Sequence, residues 1–141
     1  MAGETTVVPI AAGRVFYDNA GSGAFWATFN LTFLSTDNET NDVMQAGYIG
    51  ANVRVLAVGW YPTDMDTGIA AVVHKVTINA VDAVTGLTGA QTGTSSITPV
   101  TPTFAATAPG TDKQLVIVTT TTAAATGAAG TAVLSLLCQK I

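Results

Sequence analysis

Charge is scarce in this sequence. Asp, Glu, Lys and Arg make up only 10% of its 141 residues, against roughly 25% in typical globular domains. The five basic residues, Arg14, Arg54, Lys75, Lys113 and Lys140, are scattered, and the formal net charge is −4. Nucleic-acid binding needs clustered cations to neutralise phosphates, so no nucleic-acid partner is expected. A single cysteine, Cys138, excludes an intramolecular disulfide. It sits in an apolar run and reads as a small buried hydrophobe. No stretch approaches 18 continuous apolar residues, so a transmembrane helix and a membrane partner are not expected. The opening MAGETTVVPIAAGR lacks both a basic region and a long apolar region, which argues against a secretory signal. The glycosylation patterns at Asn30 and Asn38 then read as chance matches.

Thr, Ala, Gly and Val are what the chain has in abundance. β-branched residues with little charge suit strands and closely apposed surfaces. They make a poor coat for a free monomer, because apolar patches would face water, and so they point to assembly. A chain of this length fits one domain and is long enough to bury a core without disulfides or metal.

FWATFNLTFL, residues 25–34, gives the clearest element. Phe25, Ala27, Phe29, Leu31 and Phe33 share one side, and Trp26, Thr28, Asn30 and Thr32 share the other. That period of two predicts a strand with one buried face. STDNETND follows as an acidic polar loop. NVRVLAVGWYP, residues 52–62, predicts a second strand ended by Pro62, which cannot donate to a ladder. Its Leu56, Val58 and Trp60 demand cover as well as Val53, Val55 and Ala57. A strand apolar on both faces belongs inside a sandwich or under a neighbouring subunit. AAVVHKVTINA, residues 70–80, predicts a third strand, joined to the second by a TDMDTG hairpin, with Val72, His74, Val76 and Ile78 on one face.

Beyond residue 80 the chain loosens into Thr, Gly, Pro and Ser, with short strands expected at 96–100 and 103–107. QLVIVTTTT and TAVLSLLCQ then predict two strands around the small-residue loop AAATGAAG. The best helical candidate is TNDVMQAGY, about two turns long. Together with the N-terminal TTVVPI, these readings predict about seven to nine strands and little helix. That is an all-β fold, a β-sandwich or jelly roll. The division expected is an N-terminal arm over 1–12 and a single sandwich domain over 13–141.

Reactive constellations are not assembled by the sequence. His74 is the single histidine. It lies at an inward strand position, as a core or interface histidine with a possible role in pH sensing. No G-x-S-x-G elbow, P-loop or Rossmann glycine pattern occurs, and no catalytic residue or cofactor is expected. Zinc sites draw on Cys and His clusters, and one of each offers none. Asp64 and Asp66 alternate as calcium-loop ligands do, but the sixth and twelfth positions of such a loop are Ile69 and Lys75, where Gly and Glu are needed. A looser calcium site shared with Asp37, Glu39 or Asp42 competes with a plain polar turn. Trp26, on the polar side of its strand, and Trp60 are candidate subunit contacts, since large aromatics are enriched at interfaces. In the arm, Val7, Val8, Pro9 and Ile10 suit strand addition to a neighbour's edge, with the proline stopping further extension of that edge.

The order AAGRVFYDNAGSGAFWATFNLTF, then IGANVRVLAVGWYPTDMDTG, then TDKQLVIVTTTTAAATGAAGTAVLSLL resembles the capsid decoration (cement) proteins of tailed bacteriophages. These are small jelly-roll-like head proteins. The resemblance implies a structural virion protein, not an enzyme, made in the host cytoplasm and carried on the capsid surface. It implies a homotrimer at three-fold or quasi-three-fold points that bridges major capsid protein subunits and stabilises the shell. Phage tail-tube or fibre components share this composition and are the alternative reading. A carbohydrate-binding sandwich is another, with Tyr17, Trp60 and Tyr61 as its candidate aromatics.

Overall fold

Two sheets face one another in the computed structural model, which describes residues 3–7, 15–16 and 23–141. In chain order the strands are β1 (Thr5–Val7), β2 (Val15–Phe16), β3 (Ala24–Phe33), β4 (Val43–Ile49), β5 (Val53–Pro62), β6 (Val73–Ile78), β7 (Val81–Leu87), β8 (Ser96–Pro99), β9 (Gln114–Thr122) and β10 (Gly130–Lys140). The first sheet runs β1-β4-β9-β6-β7, with β2 also on β4. The second runs β3-β10-β5-β8. This is the all-β sandwich expected from the sequence.

Each sheet turns its apolar side inward. β3 contributes Ala27, Phe29, Leu31 and Phe33, and β10 contributes Ala132, Leu134, Leu136 and Cys138, all buried. Opposite them lie Met44, Ile49, Val76, Ile78, Val116 and Val118. Burial pushes the Cys138 thiol up to about 12, outweighing a backbone contact with Ala27 that pulls the other way. It is an inert core residue, as the sequence indicates.

The two-sided apolar pattern of β5 has a local cause. Between Leu137/Cys138 of β10 and its partners on β5 the register slips by one, leaving Leu56 as the extra residue. A bulge of this kind reverses which residues face in. Val53 and Val55 point inward before it, and Val58, Trp60 and Pro62 after it. Leu56 itself is exposed.

Several expectations are corrected. TNDVMQAGY is not helical: its residues from Val43 onward form β4. A slip between Gln45 and Gly47 leaves Ala46 unopposed, so the alternation breaks and no strand period shows in the sequence. VDAVTGL, read as loose chain, is β7, with register slips against β6 and Gly86 at φ 69°. Residues 103–107 are not a strand. Pro102–Ala105 is one helical turn, α1, whose N-cap Thr101 accepts the Phe104 amide at 3.2 Å. Pro102 fits the first helical position because its missing N–H has no partner there anyway.

TDMDTG is not a hairpin either. It carries the chain from β5 in one sheet to β6 in the other, and AAATGAAG crosses back from β9 to β10. Among the described residues the one tight hairpin between bonded neighbours is β6–β7, where Asn79 and Ala80 both have positive φ (52° and 64°). That is the primed turn hairpins favour, and its second position wants glycine. Ala80→Gly is therefore expected to raise stability by about 1 kcal/mol, because the αL conformation costs an L-residue about that much. A urea titration that finds no gain would refute the assignment of strain to Ala80.

Candidate interaction surface

Two places collect the polar and aromatic residues of interest: the seam where the crossing loops meet, and the outer face of the β3-β10-β5-β8 sheet. At the seam, Asp66 is 2% exposed. Its Oδ2 accepts the amides of Ala71 (2.9 Å), Val72 (3.1 Å) and Ala125 (3.0 Å). Its Oδ1 accepts those of Thr126 (3.0 Å) and, more distantly, Gly68 (3.4 Å). Burial by itself would raise this carboxyl. The amides of Thr126, Ala71, Ala125 and Val72 reverse that and hold it well below the usual carboxylate range. Asp66 thus ties the two crossing loops together, a role that spacing in the sequence did not signal.

Three of the other acidic residues named for calcium also serve the backbone. Asp37 accepts the Leu34 amide at 2.7 Å, and Asp42 accepts those of Glu4 (3.1 Å) and Glu39 (3.0 Å). Asp64 accepts the Asp66 amide at 3.0 Å. Among the described residues no three His, Cys, Asp or Glu side chains gather as metal ligands. STDNETND is less exposed than its composition suggests, since Asp37, Asn38 and Asp42 are all buried.

Asn38 reaches into the core to His74. The two lie 2.7 Å apart, Oδ1 to Nε2, with Thr120 also donating to that oxygen at 3.4 Å. An acceptor at Nε2 places the neutral ring's proton there and leaves Nδ1 as a bare lone pair. Among the described residues Nδ1 has no hydrogen-bond partner, and neither has Nε1 of Trp60. The Trp60 ring packs on the imidazole with centroids 5.3 Å apart, and Phe33 stands edge-on at 5.8 Å. Burial lowers the His74 pKa to about 4. With His74 and Trp60 both 0% exposed, neither can act on a solvent-borne substrate.

Of the sequence-derived contact residues, Trp26 alone is shown at a surface. It is 48% exposed on the outer face of β3. Trp60 lies wholly in the core and offers nothing to a partner. Tyr61, the next residue along β5, faces the opposite way and lies over Gly59, where an added Cβ would meet its ring at 2.8 Å. The two aromatics therefore do not share the concave surface a sugar site needs. Val7 is at the end of β1, which pairs in parallel with β4 of the same chain, opposite Gln45. Val8, Pro9, Ile10 and Tyr17 fall outside the described residues.

The outer face is ordered by its register. One row across the strands is Trp26, Leu137, Ala57 and Pro99. The next is Thr28, Ser135, Gly59 and Ile97, with the Thr28 and Ser135 hydroxyls 3.4 Å apart. The third is Asn30, Val133 and Tyr61. Leu56 and Ile97 are both exposed apolar residues on this face; the sequence marks Leu56 as needing cover but gives no sign of Ile97. Leu56 reaches it only because of the bulge.

No protein-family model matches the chain, and no curated protein does. Solved structures do. A chain from the capsid of Ralstonia phage GP4 superposes with a TM-score of 0.79 at 19% identity, covering 97% of this chain and 98% of that one. A chain from the capsid asymmetric unit of cyanophage Pam1 superposes with a TM-score of 0.69 at 20% identity, covering 93% and 94%. This chain has the fold of chains found in two phage capsids.

Proposed function

We propose that this chain is a structural virion protein that sits on the outer surface of a phage capsid as a homotrimer and stabilises the shell by bridging major capsid protein subunits. The observation that carries the reading is the end-to-end superposition on a chain of the GP4 capsid, supported by the second match to Pam1. The burial of His74 agrees with it, because the imidazole a hydrolase would use is sealed in the core. The low charge also agrees, since extended protein–protein contacts are depleted of charge at their centres. In this reading Trp26 and the N-terminal residues Val7, Val8, Pro9 and Ile10 make contacts with other polypeptides.

A protein that binds only the assembled shell stabilises it by its binding free energy, repeated over many sites. Mixed with empty shells of the major capsid protein encoded beside it, the chain should sediment with them and raise their melting temperature by several degrees. The same capsid protein left unassembled should not retain it. A chain that stays in the supernatant at tens of micromolar, with shell melting unchanged, would sink the proposal.

A further inference from the structure

We propose that the outer face of β3, β10, β5 and β8 is the surface on which a second copy of this chain packs. The inference gives a surface to the homo-oligomer of the proposed function and rests on that reading only in supposing that copies meet. None of the nine acidic residues lies on these four strands. Arg54 and Lys140 are their only charges, and pairing of Arg54 with Gln139 and of Lys140 with Val53 puts both at one end. The sheet is therefore +2, while the remaining three basic and nine acidic residues make the rest of the chain −6. The exposed acids Asp64, Asp82 and Asp112 all lie off this sheet, so two copies that meet through other surfaces bring regions of net negative charge together. Through this face they do not, and its cationic end complements the acidic remainder of the second copy.

The face also has the shape and size for the task. Ala57 and Gly59 bring little side chain of their own to its centre, and the Tyr61 ring lies over Gly59. Trp26, Leu56 and Ile97 are 48%, 37% and 59% exposed around it. Strands about 4.8 Å apart with a rise of about 3.3 Å per residue give it an area of about 550 Å². Covered on two copies, that is about 1,100 Å², just past the roughly 1,000 Å² a specific interface needs.

The test is sedimentation velocity on the isolated full chain, without shells. Wild type should run as an oligomer at tens of micromolar. The double variant Trp26→Glu/Val133→Glu should weaken self-association at least tenfold, since it places charge at the centre of a dry contact. Thr28→Glu/Asn30→Glu, which alters only outward polar positions and sets negative charge against the acidic remainder of the second copy, should do the same with circular dichroism and melting unchanged, and it decides the matter if the first variant fails to fold. Thr85→Glu, exposed on the other sheet, should leave the oligomer intact. A monomeric wild type, or outer-face variants that stay assembled, would overturn the inference. A monomeric wild type whose shell binding is lost in the same variants would give the face to the capsid subunit, refuting self-association while the capsid reading stands.

Discussion

Asp66→Ala should cost on the order of 4 kcal/mol or more in a urea titration, a large part of the 5–15 kcal/mol that holds a domain of this kind together. The side chain lies at a junction between chain segments far apart in sequence, residues 66–72 and 124–128. Four backbone amides end on its two oxygens within 3.1 Å. Each buried donor left without an acceptor costs about 1–3 kcal/mol, less what entering water recovers. Asp66→Asn should be nearly as damaging, because it keeps one acceptor oxygen and turns an N–H₂ group against amides that also donate. Asp64→Ala is the control. Asp64 is exposed and among the described residues accepts only the Asp66 amide, so its loss should cost less than about 1 kcal/mol. If Asp66→Ala and Asp64→Ala shift the urea midpoint alike, the loop junction is not where the stability lies.

How much of this was legible in the sequence follows from where the sheets bulge. β3 keeps a strict alternation over its ten residues and was readable in full, and its inward Phe29, Leu31 and Phe33 lie in the core as expected. β10 is nearly as plain, with Ala132, Leu134, Leu136 and Cys138 all inward. β4 and β7 each carry an irregular residue that inverts the pattern midway, and both were missed. β5 was found, and its two apolar faces suggested a sandwich interior or a covering subunit; the slip at Leu56 is what puts Val53 and Val55 on the same inward side as Val58 and Trp60. The period of two is a signal only while the register holds.

The connections were harder, because local sequence does not state which sheet a strand joins. TDMDTG has the composition of a hairpin tip, yet it spans the two layers, and only the burial of Asp66 reveals its task. The crossing of sheets at β5–β6 and β9–β10 is a long-range property, set by which apolar faces must meet. The interior placement of His74 was legible from its neighbours Val72, Val76 and Ile78. Its partner Asn38 was not, since an asparagine in an acidic loop gives no hint that it is buried. Trp26 shows the converse. An aromatic on the polar side of an alternating strand stands out in one dimension, and in three it stands beside Leu137 and Ala57 on a face without acidic residues.

The second large effect is acid sensitivity from the core. His74 is fully buried and donates through Nε2 to Asn38, and no described residue gives Nδ1 an acceptor for a second proton. Burial lowers its pKa to about 4 from the ordinary 6.5. The unfolded chain therefore binds a proton at this residue below about pH 6.5, while the folded chain does not until about pH 4. Stability from this group is complete above pH 6.5 and is lost as pH falls toward 4, with a slope of up to about 1.4 kcal/mol per pH unit and a total of about 3 kcal/mol. The contribution of Asp66 falls in a separate window, because its carboxyl is depressed from 3.8 and loses stability only as pH drops below about that value. Urea titrations at half-unit steps should therefore show a decline between pH 6.5 and 4 in the wild type. His74→Met removes the titrating ring and keeps an apolar side chain against Trp60 and Phe33. It should be less stable at pH 7, where the bond to Asn38 is missed, yet nearly flat over the same interval. A variant that declines as steeply as the wild type would show that the acid sensitivity arises elsewhere than at this imidazole.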